Sequence, residues 1–167
     1  KGLEVIEASW LFHQPQEKID VVIHRESIIH SMIEYTDNSV IAQMGVPDMR
    51  IPIQYAITYP ERMPSPVKRL SLKDVGKLTF YEPDWETFPC LSAAKEALAR
   101  GGLSTAVING ANEAAVELFL KEKTPFLRIG EWVWEAMEKI PLGDNAVTLQ
   151  AILEADREAR AFVRSRI

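Results

Sequence analysis

Five prolines within residues 60–89 divide this chain into two parts of different character. They are Pro60, Pro64, Pro66, Pro83 and Pro89. Proline lacks a backbone N–H and fixes φ, so a stretch this rich in it cannot be a continuous helix or a central strand. The sequence therefore predicts an extended linker over residues 60–89, with a short strand at 78–81.

The part before this linker mixes helix and strand patterns. Apolar residues recur at helical spacing near the start and predict an amphipathic helix: Leu3, Ile6, Trp10 and Leu11. Runs rich in β-branched residues predict strands at 19–24, 28–35 and 40–44, the last two joined by a polar hairpin turn. A short helix is predicted at 51–59, with Pro52 near its first turn and Pro60 ending it.

Alanine-rich helical patterning follows the linker. It predicts four helices at about 90–100, 104–122, 127–139 and 147–164, separated by Gly101-Gly102 and by residues 141–144. The expected fold class is α+β. It comprises a partial α/β domain with a small sheet (1–59), the proline-rich linker (60–89) and a helical bundle (90–167).

Charge and composition exclude several classes of function. The formal net charge is −5 and the 19 basic residues are scattered, whereas nucleic-acid binding and polybasic membrane anchoring need clustered positive charge. No stretch approaches about 18 consecutive apolar residues, so no membrane-spanning helix is predicted. Cys90 is the single cysteine, which excludes an intramolecular disulfide and a cysteine-based zinc site. A reducing compartment follows, and we expect the cytoplasm.

The first residues indicate a truncated protein. The chain begins at Lys1 and enters a helical pattern with no capping residue before it, so the first amide groups lack a local partner. The β-rich part also looks too small to complete a sheet. We therefore expect that an amino-terminal portion is missing.

Taken alone, the polar residues of this part support more than one interpretation. Glu4 and Glu7 share a helix face and offer the oxygen ligands that Mg²⁺ or Mn²⁺ prefers, but such pairs more often line a solvated face. A hydrogen-bonded structural role is the default for His24 and His30. Lys1 is either an exposed terminal lysine, which spacing favours, or a substrate ligand. No glycine-rich phosphate loop is present, so no nucleotide site is predicted in this chain.

Four stretches resemble motifs of the 1-deoxy-D-xylulose 5-phosphate reductoisomerase family. They are KGLEVIEA at 1–8, VIHRESIIHSM at 22–32, GVPDMRIPI at 45–53 and NGANE at 109–113. The resemblance implies an NADPH-binding domain, a central catalytic domain and a carboxy-terminal helical domain. This chain would hold the remainder of the metal- and substrate-binding catalytic domain (1–59), the linker and the helical domain.

The resemblance also implies a function. Family members convert 1-deoxy-D-xylulose 5-phosphate to 2-C-methyl-D-erythritol 4-phosphate with NADPH and one Mg²⁺ or Mn²⁺, in non-mevalonate isoprenoid biosynthesis, and they are homodimers. The expected partners are a small sugar phosphate and a second subunit, with no nucleic acid and no membrane. The alternative is a non-catalytic helical interaction module that kept the fold and lost the chemistry. A different sugar-phosphate dehydrogenase would leave the four motifs unexplained.

Residue by residue, the resemblance assigns roles within these motifs. Glu4 matches the carboxylate that binds the metal and touches substrate, and Lys1 matches a lysine that contacts substrate; both are expected to be catalytic. His30 matches a position near the substrate. Pro47 and Met49 match positions beside the nicotinamide of the cofactor.

Other parts of the family pattern are absent from this sequence. The remaining metal ligands of the family lie in an upstream Asp-Ser-Glu stretch, and the NADPH domain and the flap over the substrate are upstream too. Glu7 matches a glutamate close to the site, with a supporting role. We therefore expect the 167-residue chain to be inactive by itself.

Overall fold

The computed structural model describes residues 1–140 and 147–167, and helices dominate it. The elements in chain order are α1 (Gly2–Phe12), a 3-10 turn (Gln16–Lys18), β1 (Ile29–Glu34), β2 (Val40–Met44), α2 (Arg50–Thr58), α3 (Leu72–Val75), α4 (Pro89–Arg100), α5 (Ser104–Leu120), α6 (Leu127–Lys139) and α7 (Leu149–Arg164). The predicted α+β fold class is confirmed. The predicted break at 141–144 lies outside the described residues.

The described residues form two compact units. The helical unit contains Lys1–Val21 and Asp84–Ile167, and the hairpin unit contains Val22–Pro83. These units are defined by packing within the chain. The expected domain boundaries of the longer protein, at 59/60 and 89/90, stay a prediction.

In the helical unit, α5 is the central helix and contacts α4, α6 and α7. Arg160 Nη2 lies 2.6 Å from Glu113 Oε2, and Arg164 Nη2 lies 3.0 Å from Glu117 Oε2, so α7 runs parallel to α5.

The two helices approach closely at Gly110, where a Cβ atom would lie 2.8 Å from the backbone oxygen of Asp156. Small residues fill the core of this contact and are fully buried: Ala111, Ala114, Ala115 and Ala159. The NGANE motif is therefore a helix-packing motif.

Helix α1 packs against α4, within the helical unit. Val5 is buried with Val21 and Leu91, and a Cβ atom on Gly2 would lie 2.5 Å from Ala94 Cβ. The expected apolar stripe is not the face that this helix buries, because Trp10 is 68% exposed. Since α1 is apolar on nearly every side, its sequence does not determine which face packs.

The hairpin unit is built on the antiparallel pair β1 and β2, with Ile33 opposite Ile41. The predicted hairpin is confirmed. The predicted strands at 19–24 and 78–81 are not formed; Ile23 and Tyr81 make an isolated bridge, with N–O distances of 2.8 and 2.9 Å. A turn prevents extension beyond this bridge, because Ser27 adopts a left-handed φ of 51°.

No helix within the described ranges is long and apolar enough to cross a membrane.

Candidate active site

Lys1 and Glu4 lie together at the start of α1. Lys1 Nζ donates to Glu4 Oε1 at 3.0 Å and lies 2.9 Å from Oε2, since residues three apart share a helix face. Both side chains are 58% exposed. The hydrogen bond from Lys1 lowers the pKa of Glu4, against a smaller opposing effect of burial. The pair thus presents an ionised carboxylate and an ammonium group to solvent.

Glu4 fits one ligand position of a hard divalent cation, because an accessible, ionised carboxylate is the oxygen donor that such cations prefer. Glu7, one helical turn further on, is exposed. Within residues 1–140 and 147–167, no group of three or more His, Cys, Asp or Glu side chains is arranged to hold a metal ion. Glu4 therefore offers a single carboxylate that a cation could bind, and the described residues do not form a complete metal site.

His30 lies in the hairpin unit, at an irregularity of β1. Ile29 pairs with Met44 and Ser31 pairs with Gln43, so His30 is the extra residue of a β-bulge. A bulge redirects the side chain of the extra residue, and bulges are frequent beside active sites. The His30 ring reaches across the hairpin, where its Nε2 lies 3.2 Å from the carbonyl oxygen of Gly45.

Pro47 and Met49 lie in the turn between β2 and α2. Asp48 N donates to Val46 O at 2.8 Å across Pro47, which makes this a tight three-residue turn. Both predicted residues are exposed, Met49 with 71% of its surface accessible. The turn therefore presents an apolar surface next to Gly45, the partner of His30.

An ion pair that sequence reasoning missed holds this turn. Asp48 accepts hydrogen bonds from Arg50 Nε at 3.0 Å, Arg50 Nη2 at 2.6 Å and Arg50 N at 2.9 Å. These contacts lower the pKa of Asp48 to about 2. The sequence contained a signal for this ion pair: the acidic Asp48 and the basic Arg50 are two residues apart, a spacing at which side chains can meet around a tight turn.

Acid should weaken this turn. The pKa of Asp48 in the folded protein, about 2, is below its usual 3.8, so the ion pair stabilises fully above the usual value and is lost as the pH falls toward 2. In urea unfolding, the stability difference between wild type and Asp48→Asn should shrink as the pH is lowered from about 5 to about 2. The stability difference between wild type and Arg50→Gln should shrink over the same pH range. A difference that does not vary with pH would contradict this assignment.

The structure brings the predicted site residues together in two sets, each within its own unit. Lys1 and Glu4 meet in the helical unit; His30, Pro47 and Met49 lie around one turn of the hairpin unit. His24 is the buried histidine, with its side chain 6% exposed and hydrogen-bonded to Thr79 O at 2.9 Å. This agrees with the structural role expected of it.

Comparison with known proteins gives consistent matches. Residues 44–162 match the family model described as the DXP reductoisomerase C-terminal domain. The chain is 56% identical over 160 residues to the 1-deoxy-D-xylulose 5-phosphate reductoisomerase of Pelotomaculum thermopropionicum, covering 96% of this chain and 41% of that protein. It is 52% identical over 163 residues to that of Chloroherpeton thalassium, covering 98% and 42%. The chain thus spans less than half the length of these relatives.

Solved structures show the same likeness. The reductoisomerase from Zymomonas mobilis in complex with NADPH superposes with a TM-score of 0.90 at 40% identity, covering 99% of this chain and 43% of that one. A DOX-P reductoisomerase in complex with NADPH, fosmidomycin and magnesium gives a TM-score of 0.91 at 39% identity, covering 99% and 42%. The family model alone matches well over half of the chain. The resemblance drawn from the four motifs is confirmed, and the chain belongs to the DXP reductoisomerase family, matching its C-terminal domain.

Proposed function

We propose that the protein containing this chain is a 1-deoxy-D-xylulose 5-phosphate reductoisomerase of isoprenoid biosynthesis, which uses NADPH and Mg²⁺ or Mn²⁺ to form 2-C-methyl-D-erythritol 4-phosphate. The exposed Lys1–Glu4 pair carries this proposal. It stands within the KGLE motif, in a chain about half identical to reductoisomerases along almost its whole length.

Each member of the pair has a role that its chemistry suits. The Lys1 ammonium is a hydrogen-bond donor for the oxygens of an anionic sugar phosphate. The Glu4 carboxylate is an oxygen ligand for the divalent ion and an acceptor for a substrate hydroxyl. When bound, the ion would supply Lewis-acid stabilisation of negative charge and NADPH would supply the hydride. The contact with Lys1 lowers the pKa of Glu4, which favours the ionised carboxylate that a divalent ion binds.

The hairpin unit contributes binding surface. Met49, with its exposed flexible thioether side chain, would pack against the nicotinamide ring, and Pro47 would keep the turn rigid beside it. His30 would bind the substrate through its ring nitrogen that is not bonded to Gly45. Apolar contact at this turn would exclude water from the reacting groups.

The proposal extends to the assembly and location of the protein. We propose a homodimer in the cytoplasm, which the family resemblance supports. Exposed apolar residues on the hairpin also support further protein contacts in the full-length molecule, because a two-stranded sheet is marginally stable by itself. These residues include Ile33, Val40 and Ile41.

An assay of the full-length protein tests the proposed activity. With 1-deoxy-D-xylulose 5-phosphate, NADPH and Mg²⁺ present, NADPH absorbance should fall, and omission of either the sugar phosphate or the metal should prevent this. The purified 167-residue chain should show no turnover, because no group of three or more His, Cys, Asp or Glu side chains among its described residues is arranged to hold a metal ion. A folded full-length protein without turnover would favour the non-catalytic helical module instead.

A further inference from the structure

A series of hydrogen bonds connects the buried His24 to His30 in the hairpin unit. His24 Nε2 accepts from the amide of Ile28 at 3.2 Å, and Ile28 O accepts from the amide of Gly45 at 2.9 Å. Gly45 O in turn accepts from His30 Nε2 at 3.2 Å. The series thus joins a buried histidine to a predicted substrate-binding histidine, through backbone groups alone.

The position of His24 is fixed on both sides of its ring. Its Nδ1 faces two acceptors, Thr79 O at 2.9 Å and Glu26 Oε2 at 3.1 Å, so Nδ1 carries the proton. Its Nε2 faces the Ile28 amide, which can only donate, so this nitrogen is the acceptor. The ring also stacks on Phe80, with 4.8 Å between centroids. A side chain that is 6% exposed and partnered on both nitrogens does not contact substrate.

The same reasoning determines the tautomer of His30. A carbonyl oxygen only accepts hydrogen bonds, so His30 Nε2 carries the proton that points to Gly45. In the neutral ring, Nδ1 then keeps its lone pair. His30 is the exposed residue of the β-bulge, and Nδ1 is the nitrogen available to a ligand.

We propose that His24 is a positioning residue, which holds Ile28 and Gly45 so that His30 presents Nδ1 as a hydrogen-bond acceptor for a substrate hydroxyl group. This rests on the proposed function, because that function places substrate at His30. His24 lies in the turn that precedes β1. In this turn Ser27 adopts a left-handed φ, and Ile28 is the residue directly before the strand that contains the bulge. Without His24 Nε2, the amide of Ile28 at the end of this turn loses its hydrogen-bond acceptor.

Two substitutions of His24 isolate the bond to Ile28. The amide of His24→Asn can occupy the place of Nδ1 and donate to Thr79, but it does not reach Ile28. The longer side chain of His24→Gln places its oxygen where Nε2 accepts from Ile28. His13→Asn is the matched control, because His13 is exposed and lies in the helical unit.

The variants are made in the full-length protein and examined by two measurements. In ¹H–¹⁵N spectra of histidine-labelled protein, assigned with His30→Gln, the wild type should show His30 protonated at Nε2. His24→Asn should move His30 toward a mixture of tautomers, while His24→Gln and His13→Asn should not. In the assay, kcat of His24→Asn should fall roughly tenfold from misplacement of His30, and His24→Gln should recover most of this loss.

The spectra are recorded without substrate, so they separate this inference from the proposed activity. An inactive wild type whose His30 tautomer responds to His24 would contradict the proposed function and support the positioning. A folded His24→Asn protein with unchanged His30 and full activity would overturn the positioning. If His24→Asn does not fold, hydrogen exchange of the wild-type backbone amides tests the series of hydrogen bonds instead. Protection of both Ile28 and Gly45 supports the series, and rapid exchange at either overturns it.

Discussion

Replacing Glu4 by glutamine in the full-length protein should lower its affinity for Mn²⁺ at least about tenfold, because a metal ligand loses its charge while its shape is kept. Turnover at fixed Mg²⁺ should fall at least as much, since Glu4 is proposed to bind both metal and substrate. Calorimetric titration with Mn²⁺ measures the first effect and the NADPH assay the second.

Glu17→Gln is the matched control for Glu4→Gln. It makes the same change of charge and shape at an exposed glutamate of the 3-10 turn, in the same helical unit. Its Mn²⁺ affinity and turnover should equal those of the wild type. If Glu4→Gln bound Mn²⁺ as tightly as Glu17→Gln, Glu4 would not be a metal ligand.

Gly110→Val should destabilise the helical unit by about 2 to 3 kcal/mol, because the added side chain enters a close-packed helix contact. A Cβ atom at residue 110 would lie 2.8 Å from both the backbone oxygen and Oδ1 of Asp156, and 3.2 Å from its Cα atom. Backbone cannot move aside as a flexible side chain can, so α5 and α7 must separate. Urea unfolding monitored by tryptophan fluorescence gives the free energy, since all four tryptophans, including Trp132 and Trp134 on α6, lie in the helical unit.

Ala161→Val separates this clash from the general effect of placing a β-branched side chain in a helix, because replacing glycine by valine does not itself lower helix propensity. Ala161 lies on α7 with its side chain exposed, so the added methyl groups enter solvent. Its cost should not exceed about 0.7 kcal/mol, the range of helix propensities among ordinary residues. Equal effects of the two substitutions would show that the contact at Gly110 tolerates a larger residue.

The four helices after the linker were predictable from sequence, because helical hydrogen bonds and amphipathic spacing are local. Only the ends differ, and α5 shows why. It ends at Leu120, two residues before the expected position, where Glu122 adopts a left-handed φ of 56° and Lys123 N bonds to Leu118 O at 2.9 Å. Glycine usually occupies such a position, and no glycine is present here to signal it.

The predicted strand at 19–24 is wrong because strand formation depends on a distant partner. Its β-branched composition is suitable, but Ile23 pairs only with Tyr81 in an isolated bridge, and the turn at residues 25–26 ends the pairing. The hairpin was predictable because its strands are joined by a short turn.

The residues proposed to bind metal, substrate and cofactor were identified from motifs in the sequence, since the types and order of residues are what such motifs record. Spacing alone favoured a solvated role for Glu4, and only the family resemblance pointed to metal. The structure added the local ion pair of Asp48 with Arg50, and its tertiary packing added the contact of His24 with Thr79.

The sequence by itself thus determined the longer helices, the hairpin and the motif residues, which depend on neighbours along the chain, but not helix α3, which lies within the predicted extended linker. Tertiary structure alone decided which face of α1 is buried, where Gly110 meets Asp156, and which nitrogen of His30 is available. The physical reason is separation along the chain. His24 and Thr79 are 55 positions apart, and no local sequence pattern specifies which distant backbone carbonyl group will accept a hydrogen bond from a buried histidine.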